Sequence, residues 1–273
     1  MSLTNETQRI QLHYRRTGYG PDVLLLHGWA SSGRMWDVLT DALHTQARFW
    51  AVDLAGFGDS PLPDNPMLDM DTHAALVMDF CDDHGIRPQA IIGHSMGGML
   101  ALKLALLRPE LAGALALLSP VITGRFSFDL NRLVGTDVGS FALARSKPFW
   151  WLAQSVLLAP LLSVPTYVNA AAAERIQEDF KRATWQAATG AIASIARENL
   201  EHDLRQIEQP ALVLVGANDT TVPPQEGRLA AYHLRNARLF ELPGVNHQPL
   251  DEQPETVVEA LQSFLVEVGA ALP

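Results

Sequence analysis

The chain has 273 residues, 48% of them hydrophobic and 18% charged, with a formal net charge of −10. That composition suits one large α/β domain carrying an insertion and excludes a disordered or fibrous chain. The acidic balance excludes nucleic acid as an expected partner, because phosphates would be repelled and no basic stripe compensates.

Met1 to Gln11 lacks a basic segment followed by an apolar run, so no secretory signal is expected and the location defaults to the cytoplasm. Ile10, Leu12 and Tyr14 alternate with polar residues, which predicts an antiparallel edge strand. Strand-length apolar runs follow at Val23–Leu26, Phe49–Val52, Ala90–Ile92, Leu115–Leu118, Leu212–Val215 and Leu239–Leu242. Most are continuous rather than alternating, as strands covered on both faces should be. Helical patterns lie between them at Met35–Leu43, Thr72–His84, Gly97–Leu107, Pro224–Ala231 and Pro254–Val268. Such alternation predicts an α/β fold, a doubly wound and mostly parallel sheet with right-handed crossovers. The single cysteine, Cys81, falls in the second helix as a packed thiol, so neither a disulfide nor a cysteine-based metal site is implied.

The rhythm breaks between Val121 and Ile207, where helical stretches such as Ala170–Thr189 and Ile192–Leu200 replace strands. We therefore expect a core of residues 1–120 and 208–273 and a helical cap, 121–207, over the carboxyl ends of the strands. Phe149–Pro165 is nearly all apolar, but Pro160, Gln154 and Ser155 interrupt it. It also falls short of the ~20 residues a membrane span needs. Burial against the active site is the preferred reading, and a weak interfacial contact is the minority one.

Gly93-His94-Ser95-Met96-Gly97 sits between an apolar strand and a helix. This G-x-S-x-G turn holds a serine hydroxyl clear of the backbone at the positive end of a helix. Serine needs a base, and the base needs a carboxylate to orient it. The expected chain order is serine, acid, histidine, each on a loop that leaves a strand. Asp219 follows Val213–Gly216, and His247 follows Leu239–Leu242, so Ser95, Asp219 and His247 are the candidate catalytic residues. His247 must be neutral to accept the serine proton, so the rate should rise with pH along a single limb. The expected oxyanion donors are the backbone N–H groups of Met96 and Trp29, with Gly28 allowing close approach and His27 propping the loop. Trp29, Phe126, Phe149, Trp150 and Val222 are candidates for the substrate pocket.

The Gly56-Phe57-Gly58 turn lacks a third glycine and a following helix, so it reads as structural. Asp69, Asp71 and His73 have metal-like spacing, but Asp71 before Thr72 is more simply a helix N-cap. No metal and no organic cofactor is expected.

Together His27-Gly28-Trp29, Asp53 to Ser60, the Gly93–Gly98 elbow, Asp219 and His247 resemble the α/β-hydrolase superfamily along essentially the whole chain. The resemblance is to its serine-nucleophile branch with helical caps, and it implies a carboxylesterase-like hydrolase acting on a small-molecule ester. Branches with an aspartate at the elbow are excluded by Ser95. Two alternatives stay open. One is a C–C bond hydrolase of ring-cleavage products, whose elbows also show Ser-Met-Gly-Gly; no extra signature for the substrate carboxylate stands out, and Arg125, Arg132 and Arg145 are either its partners or surface residues. The other is a signalling or binding member of the same fold that does not turn over.

Overall fold

A computed structural model of the chain describes residues 10–63, 68–126 and 168–272. Seven strands form one sheet: β1 Tyr14–Gly18, β2 Asp22–Leu26, β3 Arg48–Val52, β4 Ala90–His94, β5 Ala114–Leu118, β6 Ala211–Gly216 and β7 Ala237–Leu242. Their order is β1-β3-β2-β4-β5-β6-β7, and every neighbouring pair is parallel except β1 with β3. The expected doubly wound sheet is present. Its antiparallel edge strand lies later than the alternation suggested, with Tyr14 opposite Val52 and Ile10 and Leu12 outside the strand.

The period-two geometry of a strand explains how continuous apolar runs build two cores. Leu24, Leu26, Ile91, Leu115, Leu117, Val213 and Val215 face one core, while Val23, Leu25, Ile92, Ala116, Leu118, Leu212 and Leu214 face the other. The described helices are α1 Asp37–Leu43, α2 Met70–Asp83, α3 Met96–Leu107, α4 Ala170–Arg182, α5 Trp185–Ile195, α6 Pro224–His233, α7 Pro249–Glu252 and α8 Pro254–Glu267. Residues of α2, α3 and α5 join the first core, and residues of α1 and α8 join the second. Helix α3 is buried from Met96 to Ala105, which accounts for its nearly all-apolar sequence.

Two expectations about helix ends need correction. Asp69, not Asp71, caps α2, accepting from Thr72 N at 2.8 Å, while Asp71 pairs with Lys103. The stretch Ala170–Thr189 is two helices, not one. Thr184 caps the second, and its backbone N–H and hydroxyl both bond to the carbonyl of Gly56, at 2.9 and 3.1 Å. An anchor to the core thus overrides a run whose local propensity favours one continuous helix. Helix α5 ends at Ile195, and Leu200 lies beyond it, bonded through its N–H to Ile122 O. Among the described residues no helix is long and apolar enough to cross a membrane.

Candidate active site

The elbow between β4 and α3 is built on close approaches. A Cβ on Gly93 would lie 2.2 Å from Gly97 O, and one on Gly97 would lie 2.1 Å from Leu26 O. No side chain fits at either position, so the turn can bend only because both are glycine. Ser95 itself adopts φ 52° and ψ −112°, a left-handed conformation that costs a serine about 1–3 kcal/mol. The first turn of α3 and the neighbouring strand offset that cost: Ser95 N donates to Leu118 O at 2.9 Å, and Gly98 N donates to Ser95 O at 3.0 Å.

Ser95 Oγ stands 3.1 Å from Nε2 of His247, whose Nδ1 is 2.7 Å from Asp219 Oδ2. Three residues far apart in sequence therefore meet in one hydrogen-bonded line. The other oxygen of Asp219 accepts the N–H groups of Thr221 and Val222 at 2.8 and 2.9 Å. Burial pushes the Asp219 carboxyl up, but His247 and these amides outweigh it and hold the group below its ordinary range. The acid and base loops touch directly. A Cβ on Gly216 would lie 2.0 Å from Asn246 O, and Asn218 N donates to Val245 O at 2.9 Å.

Glu252 grips the base loop on both sides of His247, accepting from Asn246 N at 2.7 Å and Gln248 N at 2.9 Å. The sequence reading missed it. The only local signal is an acidic residue shortly after Pro249, which also occurs at ordinary helix starts.

Gly28 lies over the elbow, where a Cβ would be 2.7 Å from His94 Nδ1 and 3.5 Å from Ser95 Cβ. His27 props this loop as expected, its Nδ1–H donating to Gly28 O at 2.7 Å and its Nε2 accepting from Leu54 N at 2.9 Å. Burial, only partly opposed by Asp53, pushes the His27 pKa down. With both nitrogens engaged, His27 has no lone pair for a substrate proton. The Trp29 indole N–H donates to Ala188 O at 2.7 Å, and its ring shares a small apolar cluster with Phe126, Ile192 and Ala193. Met96 is fully buried as the first residue of α3, and Val222 is 2% exposed, its side chain part of the larger core. Phe149 and Trp150 lie outside the described residues.

One face of α4 pairs with three segments distant in sequence. Arg175 makes a bidentate pair with Asp251 at 3.1 and 2.7 Å, close beyond His247. Asp179 accepts from Ser32 Oγ at 2.9 Å and from Arg34 at 2.6 and 3.2 Å, just after Trp29. Arg182 pairs with Asp59. The Asp179 hydrogen bonds raise the Arg34 pKa, with burial opposing them and Glu178 adding to them. Asp179 is 1% exposed, so Arg34→Ala strands a buried carboxylate. We expect a loss of about 3 kcal/mol, at the low end for a broken buried pair because the Arg34 side chain is 31% exposed. Amide exchange should accelerate in α4 and chemical denaturation should shift. Unchanged exchange in α4 would show that the clasp does not hold this helix down.

Among the described residues the group with metal-like proximity is His13, Asp53 and Asp59, with ligand atoms within 4.8 Å of one another. Asp53 is occupied there by Gly33 N at 2.6 Å, His13 Nδ1 at 2.8 Å and Asp59 N at 2.9 Å, which makes it a staple for the Asp53–Ser60 turn. Asp69, Asp71 and His73 do not converge: Asp69 caps, Asp71 faces Lys103 and His73 is buried.

Comparison with known proteins agrees with this architecture. The sequence model of the alpha/beta hydrolase fold matches residues 21–254. A pimeloyl-(acyl-carrier protein) methyl ester esterase of Nitrosomonas europaea is 26% identical over 277 residues, covering 93% of this chain and 99% of the relative. A protein of the same name from Chromobacterium violaceum is 27% identical over 259 residues, covering 94% and 98%. A thermophilic esterase from Thermogutta terrifontis superposes with a TM-score of 0.80 at 25% identity, over 97% of both chains. With a mostly parallel seven-stranded sheet and a family match over most of its length, the chain belongs to the α/β-hydrolase fold family of enzymes.

Proposed function

We propose that the protein is a serine carboxylesterase with residues 121–207 as a cap over the site. The observation that carries this reading is the line Ser95–His247–Asp219, with separations of 3.1 and 2.7 Å. Ser95 Oγ attacks the ester carbonyl carbon while His247 Nε2 takes its proton, and Asp219 holds Nδ1–H and the charge that forms. The backbone N–H groups of Met96 and Trp29 stabilise the oxyanion. Collapse of the tetrahedral intermediate expels the alcohol, which leaves with the proton from His247. Water, activated by the same imidazole, then releases the acid and frees Ser95. No cofactor enters these steps.

Substrate selection is assigned to Trp29, Phe126 and Val222 with Phe149 and Trp150, and to an uncharged acyl group, since an unpaired charge in an apolar pocket is costly. The apolar cluster joining Trp29 to Phe126 and Ile192 supports this. The names of the two relatives above, which are methyl ester esterases, support ester cleavage itself. A methylene entering such a pocket contributes about 0.8 kcal/mol, roughly fourfold in kcat/KM.

A fluorophosphonate should modify Ser95, located by mass spectrometry, and should leave Ser95→Ala unlabelled. Across nitrophenyl esters from acetate to palmitate, kcat/KM should climb to a short-to-medium chain and then fall. An adduct elsewhere would refute the nucleophile. A flat ester series combined with turnover of an anionic dienol substrate would replace ester cleavage by C–C bond hydrolysis.

A further inference from the structure

The chemistry above employs both ring nitrogens of His247, yet its main-chain carbonyl is also held. His94 Nε2 lies 2.7 Å from His247 O. His94 immediately precedes the nucleophile, at the end of β4, and is 3% exposed. The elbow and the base loop are thus tied by a bond that bypasses the reacting side chains.

A carbonyl only accepts, so His94 Nε2 carries the proton and Nδ1 is bare. Among the described residues that bare nitrogen is buried without a hydrogen-bond partner. It faces the Gly28 hydrogen standing where a Cβ would approach to 2.7 Å. A proton on Nδ1 would crowd this contact, whereas a lone pair accepts the C–H. The His94 and His247 rings lie with centroids 4.9 Å apart. Burial, followed by the neighbouring His247, pushes the His94 pKa down to about 3; the bond to His247 O and Asp219 oppose the shift and Arg175 adds to it. His94 therefore remains a neutral donor throughout the range in which His247 must act.

We propose that His94 is a positioning residue: its Nε2–H fixes the His247 carbonyl and so sets the base imidazole over Ser95, while its other edge seats the Gly28–Trp29 backbone. This rests on His247 being the base. Without the donor, the base loop loses its tie to the elbow, and a misplacement of about 1 Å is enough to cost on the order of 100-fold in rate.

His94→Leu removes the donor at similar bulk, and His94→Gln restores an N–H at about the reach of the imidazole Nε2. With folding verified by circular dichroism and thermal melting, His94→Leu should lower kcat by roughly 30- to 100-fold, with KM changed less than about threefold. His94→Gln should recover kcat to within about fivefold of wild type. Wild-type kcat in folded His94→Leu, or equal losses in the two variants, would overturn the proposal. If His94→Leu misfolds, His94→Phe replaces it. Misfolding of both beside a folded His94→Gln would assign His94 to folding instead and would also overturn it. Failure of the underlying reading is separately visible, because His247→Ala would then retain activity.

Discussion

Changing Asp219 to asparagine is expected to lower kcat by about 10⁴-fold while leaving KM nearly unchanged and the protein folded. The reason lies in the two amides behind the carboxylate. Thr221 N and Val222 N donate to Asp219 Oδ1 at 2.8 and 2.9 Å. An asparagine can satisfy those donors only with its carbonyl oxygen, which turns its NH₂ group toward His247 Nδ1. An N–H there must meet a bare Nδ1, so the imidazole proton moves to Nε2, where it faces Ser95 Oγ. The base is then presented in the tautomer that cannot accept the serine proton. Steady-state ester kinetics with matched thermal melts check this. More than a tenth of wild-type kcat in a folded Asp219→Asn protein would mean that Asp219 is not the orienting acid.

This part of the site is legible in the sequence because its constraints are local. Gly93 and Gly97 are demanded by atoms within a few residues or on the next strand, so the elbow is a local steric statement. Asp219 and His247 could be nominated because each leaves a strand at its carboxyl end, and the strand-length apolar runs Leu212–Val215 and Leu239–Leu242 made those strands readable. What stayed hidden are contacts whose two halves lie far apart and are individually ordinary. Asp179 is one acidic residue among several on a polar helix until Ser32 and Arg34, some 147 positions earlier, are brought to it. Nothing local distinguishes His94 within the elbow, because its partner is a main-chain carbonyl 153 positions away. The Ala170–Thr189 break was present as Thr184, but a threonine inside an alanine-rich helix becomes a cap only when Gly56 stands opposite it. The N-cap of α2 could not be chosen between Asp69 and Asp71 by composition, since both residues cap equally well. Fold and reacting groups follow from local rules, and the clasp that assembles the loops follows from tertiary pairing.

Mild acid is expected to destabilise the protein before most of its carboxylates titrate. His73 is 1% exposed, stacks on Phe57 and, among the described residues, has no hydrogen-bond partner at either ring nitrogen. Burial, with His27 adding to it and Asp69 opposing, pushes its pKa down from 6.5 to about 4. His94 is pushed down to about 3 and His27 in the same direction, again chiefly by burial. An unfolded chain would protonate these rings near their ordinary value, so below about pH 6.5 the unfolded state binds more protons than the folded one. Stability is therefore complete above that pH and is lost as pH falls toward the folded values. At pH 5 the folded rings of His73 and His94 are still neutral, so each loss is set by the unfolded histidine alone, about 2 kcal/mol relative to pH 7. Together these two rings account for about 4 kcal/mol, a large share of a typical stability of about 5–15 kcal/mol. Asp219 acts in a different window. Its lowered carboxyl contributes stability present above the unfolded aspartate value and lost only as pH falls through the still lower folded one. Urea unfolding at pH 7 and pH 5 reads the histidine contribution directly. A His73→Phe variant, which keeps an aromatic ring beside Phe57 but cannot bind a proton, should lose about half of the pH dependence assigned to His73 and His94. Equal unfolding midpoints for the wild type at the two pH values would show that these buried rings gain protons in the folded state without penalty, and would remove the basis for treating His94 as a permanently neutral donor.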